Sequence, residues 1–302
     1  MSQAEFRHTA FVYSSDAEYV DAADDFLRAG LELGQGALVA APRGRQALLR
    51  RALGPLPEQV GSLDLDAVAD RPARTLAAQY AALYERLRRF PAMRLLVGVE
   101  PGPPRDGWPD WLAYEAALER VFAAMPVWAL CGYDARRTPE TLLDAVLRGH
   151  PELVAGARPS GPRAELAEIL GELTPPPRPL PEVRTVAAGE SPEALREGLG
   201  AALAAQGVGG SRALETVLAA NEAILNAFQH GQPPVEVRLG QVGDRVVCEV
   251  VDRGPGFEDP LIGFDPPGDP GGRAPGLWVA RQLVRQLEAF PTAAGFTVRL
   301  WL

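Results

Sequence analysis

Short, near-continuous apolar runs recur through the first half of the chain. Between them stand longer segments whose apolar residues return at helical spacing. Thr9–Tyr13, Ala37–Ala41, Met93–Val99 and Val127–Cys131 are strand-sized runs, and a further short strand is expected near Leu63–Leu65. Asp16–Leu33 reads as a helix with Tyr19, Ala23, Phe26, Leu27 and Leu31 on one face, followed by helices at Gln46–Leu53, Ala73–Phe90, Trp111–Met125 and Thr138–Leu147. Pro42–Arg45 reads as a loop. Strands that are apolar throughout need cover on both faces, so residues 1–158 are expected to form an α/β domain around a doubly wound parallel sheet.

The pattern then breaks. Ser160-Gly-Pro162 and the run Pro175-Pro-Pro-Arg-Pro-Leu-Pro181 bracket a short helix at Arg163–Leu173, and residues 159–181 read as a linker stiffened by proline. A second domain, residues 182–302, opens with a strand at Val183–Ala187. Ser191 is placed to cap a helix whose first position is Pro192 and which runs to Ala205. A helix at Ser211–Phe228 follows, then paired strands Val235–Leu239 and Arg245–Val251 turning at Gly243-Asp244. After a Gly/Pro-rich stretch at 253–275 come a helix, Gly276–Leu287, and an alternating strand, Phe296–Trp301. This order predicts an α/β sandwich.

Composition narrows the function classes. The formal net charge of −9 repels a phosphate backbone, so no direct nucleic-acid partner is expected. The two cysteines, Cys131 and Cys248, lie far apart in apolar runs and read as buried free thiols of a reducing compartment. The N-terminal residues lack the order of a signal peptide, and the longest apolar runs fall far short of the ~20 residues of a membrane span. A cytoplasmic protein with no membrane partner is expected.

Three motifs carry chemistry. Asn221-Glu-Ala-Ile-Leu-Asn-Ala-Phe-Gln-His-Gly231 lies on a helix, where Glu222 and Asn226 share a face. An asparagine there suits a magnesium held by triphosphate oxygens, and a glutamate one turn earlier suits a nucleophile's proton. Asp252-Arg-Gly-Pro-Gly256 follows a strand directly: a carboxylate at a strand end can take a hydrogen bond from an exocyclic amine, and Gly254 and Gly256 let the backbone come close. Gly271-Gly-Arg-Ala-Pro-Gly276-Leu277 precedes a helix whose N-terminal N–H groups can face phosphates.

In this order the three resemble the N box and the two glycine boxes of the ATPase superfamily shared by gyrase, the ninety-kilodalton heat-shock chaperones, histidine kinases and mismatch-repair proteins. The Asn-Glu-Ala-x-x-Asn-Ala-x-x-His-Gly ending, Gly276–Leu283 and Gly295–Leu300 are similar, within it, to the bacterial anti-sigma-factor serine kinases. That resemblance implies ATP and Mg2+ as cofactors and an ATP-dependent protein serine/threonine kinase, with Glu222 as base and Asn226 as magnesium ligand. Asp252 would be the adenine contact, with Gly254, Gly256, Gly272, Gly276 and Leu277 around the nucleotide. Its implied partners are a sigma factor and an anti-anti-sigma protein of the STAS type, and it allows a homodimer. Ala274 stands where the second box has its first glycine, and Pro275 is expected to stiffen a closing lid. These departures leave open an ATP-gated partner-binding switch without phosphoryl transfer. His230 reads as a structural residue at the helix end.

In the first domain, Tyr13, Arg43, Glu100, Tyr133 and Asp134 fall at or just beyond the expected C-terminal ends of strands, where open parallel sheets bind ligands. They form a candidate sensory pocket for a small molecule. Pro42-Arg-Gly-Arg45 occupies the place of a phosphate loop but lacks its pattern, so no nucleotide hydrolysis is expected there. His8, Tyr13, Tyr114-Glu-Ala116, Cys131-x-Tyr-Asp134 and His150-Pro151 together resemble the MEDS sensory domain of dichloromethane- and methanol-linked bacterial regulators, which implies a RecA-like fold without its ATP loop. His8, Cys131 and His150 match no standard metal spacing and read as core.

Overall fold

The computed structural model describes residues 6–66, 68, 71–99, 108–154, 164–173, 177–267, 275–293 and 295–302. The chain divides into two units, Met1–Thr174 and Pro175–Leu302.

The first unit runs β1 (Arg7–Tyr13), α1 (Asp16–Glu32), β2 (Gly36–Ala41), α2 (Arg43–Leu53), β3 (Val60–Asp64), α3 (Pro72–Leu87), β4 (Met93–Val99), α4 (Trp108–Phe122), β5 (Val127–Asp134), α5 (Glu140–Gly149), β6 (Glu152–Leu153) and α6 (Leu166–Leu173). Its sheet has the order β3-β2-β4-β5-β1-β6, and every pairing is parallel. This is the doubly wound α/β architecture that the apolar strands predict. Phe11, Tyr13, Val39 and Leu96 pack with Tyr19, Phe26 and Leu27 of α1 and Leu49 of α2 on one face. Tyr133 reaches α4 on the other, where its hydroxyl donates to Glu115 Oε1 at 2.6 Å.

Strand β1 leads through α1 to β2, across the sheet. Its neighbour β5 leads the opposite way, through α5 to β6. The crevice at the C-terminal ends of β1 and β5 is therefore a topological switch point.

Two local readings change here. Residues 43–45 are the first turn of α2, not a loop: Pro42 is its extended N-cap residue. The helix of the proline-rich segment, α6, packs against α4 and α5.

The second unit runs β7 (Arg184–Gly189), α7 (Pro192–Ala205), α8 (Gly210–His230), β8 (Val235–Val242), β9 (Arg245–Asp252), α9 (Pro275–Leu283), β10 (Gln286–Thr292) and β11 (Gly295–Trp301). Its antiparallel sheet, β10-β11-β9-β8-β7, packs one face on the three helices through Leu199, Ile224, Val237, Val250, Leu277 and Val298. Ser191 caps α7, accepting from Ala194 N–H at 3.3 Å, with Pro192 behind it. The expected helix Gly276–Leu287 is split: α9 stops at Leu283, and Gln286 onward pairs with β11. Pro275 opens α9, a position where its missing N–H costs nothing. Among the described residues no helix is long and apolar enough to cross a membrane.

Candidate functional site

Helix α8 buries Ala219, Ala220, Ala223, Ile224 and Ala227 against the sheet, which leaves Glu222 and Asn226, one turn apart, half-buried at the border of that face. Across from them lies the start of α9, where a Cβ on Gly276 would stand 2.5 Å from Glu222 Oε2. Only glycine leaves this carboxylate oxygen its place. The other oxygen is tied: Asn221 Nδ2 donates to Glu222 Oε1 at 3.2 Å, and Asn221 Oδ1 accepts from Arg196 Nη1 of α7 at 2.7 Å. Neither Asn221 nor Arg196 figured in the sequence reading as a site residue. The Asn226 amide has no hydrogen-bond partner among the described residues.

Asp252 ends β9 beside the last turn of α8. Its Oδ1 accepts from Gly254 N–H at 2.6 Å and from Gln232 N–H at 3.3 Å, which leaves Oδ2 without a partner among the described residues. A Cβ on Gly231 would run into that carboxylate, and one on Gly254 would meet Asp252 Oδ1 and Gly231 Cα, both at 2.7 Å. Gly256 has φ +70° and lies against the Phe296 ring. These glycines are demanded by the packing around Asp252 as well as by any ligand. From Asn226 to Gly231 is about 7–8 Å along the helix axis at 1.5 Å per residue.

Leu277 is a core residue, so only its backbone can face a ligand. His230, the last residue of α8, is exposed. Gly272, with Gly271, Arg273 and Ala274, lies outside the described residues. A buried carboxylate with one free oxygen, glycine-lined approaches and an unpartnered amide one and a half turns away fit an adenine nucleotide and its metal.

The four described residues of the expected sensory pocket do not come together. Tyr13 and Asp134 are register partners at the switch point. Tyr133, the neighbour of Asp134, points to the opposite face, toward Glu115 and His150. Arg43 is exposed and pairs with Asp64 near the β3 edge. Glu100 lies outside the described residues.

What fills the crevice is Arg45. Its Nη2 donates to Asp134 Oδ2 at 2.7 Å and its Nη1 to Asp16 Oδ1 at 2.9 Å, and the guanidinium lies 5.2 Å from the Tyr13 and Tyr19 ring centroids. Arg136 closes the group, donating to both oxygens of Asp134 at 2.8 and 2.7 Å. Chiefly through Arg136, the Asp134 carboxyl is held below the usual range of an aspartate. Because 43–45 is a helical turn, Arg45 points inward where the loop reading had chosen Arg43.

His8, Cys131 and His150 are buried, as a core reading requires, but they converge on Glu115 of α4 instead of dispersing. Burial pushes the Cys131 thiol up to about 11 and the His150 imidazole down to about 3.

Comparison with known families finds a match in each of the two units. A family model described as the methanogen/methylotroph, DcmR sensory domain (MEDS) matches residues 7–151, and one described as the histidine kinase-like ATPase domain matches residues 186–302. No curated protein matches the chain. The protein therefore joins a MEDS sensory domain to a histidine kinase-like ATPase domain, a class whose membership implies ATP binding.

Proposed function

We propose that this chain is a regulatory ATPase whose MEDS unit senses a small ligand. Its ATPase unit binds Mg-ATP, phosphorylates a serine or threonine of a STAS-type anti-anti-sigma partner, and holds a sigma factor inactive until that partner displaces it. The observation that carries the reading is the buried Asp252 carboxylate, one oxygen held by backbone N–H groups and the other without a partner among the described residues, together with Gly276 kept bare opposite Glu222 of α8.

Each residue has a task its position allows. Asp252 Oδ2 accepts from the exocyclic amine of adenine, while its Oδ1 stays bound to the backbone. The amide oxygen of Asn226 completes the magnesium shell. Glu222 Oε2 takes the proton of the incoming hydroxyl, with Oε1 steadied by Asn221 and, through it, Arg196. Bound Mg-ATP supplies the phosphoryl group and neutralises its charge.

Titration calorimetry with ATP and magnesium tests the first step. Wild type is expected to bind, and Asp252→Asn to bind about 10–100-fold more weakly, the worth of a hydrogen bond to a charged group. Wild-type protein that binds no ATP overturns the reading. One observation favours a second reading. Ala274 replaces the first glycine of the second box, which suits a switch that binds ATP and its partner without transfer. That version predicts binding lost in Asp252→Asn, and no label on any partner.

A further inference from the structure

Four side chains from four places in the MEDS unit meet on the sheet face that carries α4. They are His8 of β1, Glu115 of α4, Cys131 of β5 and His150, which caps α5. One ligand atom from each lies within 4.8 Å of all the others. His8 Nε2 stands 3.4 Å from Cys131 Sγ and 3.3 Å from Glu115 Oε2, and the same Oε2 stands 3.8 Å from His150 Nε2. Ligand atoms held about 2.0–2.3 Å from a tetrahedral ion sit roughly 3.3–3.7 Å from one another. Two of the close pairs already have this spacing, the third at 3.8 Å is just beyond it, and the widest needs to close by about 1 Å.

The outward atoms are all tied. His150 Nδ1 bonds the Val146 carbonyl at 2.8 Å, His8 Nδ1 faces Glu119 Oε1 at 3.1 Å, and Tyr133 donates to Glu115 Oε1 at 2.6 Å. A carbonyl only accepts, so the Nδ1 of His150 carries the proton. In the neutral ring its Nε2 is then a bare lone pair aimed into the cluster. Glu115 Oε2 and His150 Nε2 are both buried without a hydrogen-bond partner. Two acceptors facing each other in a buried site lack something between them, and orphaned polar atoms of this kind call for an explanation. Imidazoles anchored through their far nitrogens to a carbonyl and a carboxylate are the usual outer support of a metal centre.

We propose that His8, Glu115, Cys131 and His150 bind a divalent transition ion of the zinc class. Two imidazoles, a thiolate and a carboxylate suit zinc, whereas a thiolate and two nitrogens disfavour magnesium and calcium. Binding forms one bond from the ion to each ligand atom. It releases the Cys131 thiol proton and the proton on His8 Nε2, both to water, so the buried charge is unchanged. A cavity of about 820 Å3 lined by Phe6, His8, Glu119, Arg148, His150 and Glu168 borders the cluster at its two histidines.

The test uses the full chain, stripped with a chelator and kept free of magnesium and nucleotide. Zinc titration by calorimetry is expected to show one equivalent per chain. Cobalt is expected to give visible and thiolate-to-metal bands that vanish in Cys131→Ser and persist in Cys248→Ser. Tyr133→Phe, which keeps the packing and frees Glu115 Oε1, is expected to weaken zinc binding about 10–100-fold. Absence of stoichiometric zinc in the wild type, or cobalt bands unchanged in Cys131→Ser, overturns the proposal and leaves the four residues as a proton-bridged core cluster.

Discussion

Asp134→Asn is expected to destabilise the MEDS unit by about 3–5 kcal/mol at neutral pH, the usual penalty for stripping one partner from a buried ion pair. The aspartate side chain is 2% exposed and that of Arg45 is 8% exposed. Without the carboxylate, the guanidinium stays buried beside Tyr13 and Tyr19. Asp16 still touches it, but at 55% exposure that contact is largely screened by water. Replacing both charges, as in Arg45→Met with Asp134→Leu, should recover much of the loss, because neither ion then needs hydration. The effect also has a pH signature. The folded Asp134 carboxyl titrates below its unfolded value of about 3.9, so its contribution is complete above that value and disappears as pH falls through the folded one. Urea denaturation of the full chain between pH 7 and pH 2, with the ATPase unit's transition as reference, measures this. The gap between wild type and Asp134→Asn should be widest at neutral pH and shrink below about pH 4. A gap under 1 kcal/mol, or one that ignores pH, would show that Arg45 does not depend on this partner.

The two sites differ in how much of them a reader of the sequence can find. Glu222 and Asn226 share one helix, and Asp252 ends a strand that runs straight into its glycines, so contiguous motifs locate both. Asn221 and Arg196 escaped because their bond joins two helices, and nothing in either helix alone announces it. The MEDS cluster is harder still. His8, Glu115, Cys131 and His150 sit on separate elements and become neighbours only once β1 lies between β5 and β6 and α4 covers that face. Spacing rules for metal ligands describe sites built from short loops, and this one is built by sheet order.

The fold follows the same logic. Strands β1, β2, β4 and β5 are largely buried on both faces and so carry near-continuous apolar runs, which is what made them visible. Strand β10 was hidden. Ala280, Leu283, Val284 and Leu287 continue a helical spacing across the end of α9, and Pro291 argues against a strand. Pairing with β11, from Gln286 opposite Trp301 to Thr292 opposite Gly295, overrides that local preference. As the edge strand of the sheet, β10 can carry a proline.

Glu222→Gln is expected to slow phosphoryl transfer to the anti-anti-sigma partner by roughly 10²–10⁴-fold, the worth of a positioned general base, and to leave ATP affinity almost unchanged. The substitution removes only the ability to take a proton. Glutamine matches glutamate in shape, and its amide oxygen can still accept from Asn221 Nδ2, so the Arg196–Asn221 support survives. Asn226→Ala should behave differently: it removes a metal ligand, so ATP affinity and transfer fall together, and the magnesium dependence of binding weakens. Asp252→Asn should lose affinity at any magnesium level, because its contact is with the base. Three variants with three distinct patterns separate proton transfer, metal binding and base recognition. Transfer measured with labelled ATP at saturating nucleotide decides among them. If Glu222→Gln transfers at the wild-type rate, the glutamate is not the base. If wild type binds ATP yet labels no partner, the binding switch is the correct account, and Ala274 in the second glycine box becomes the first position to restore to glycine.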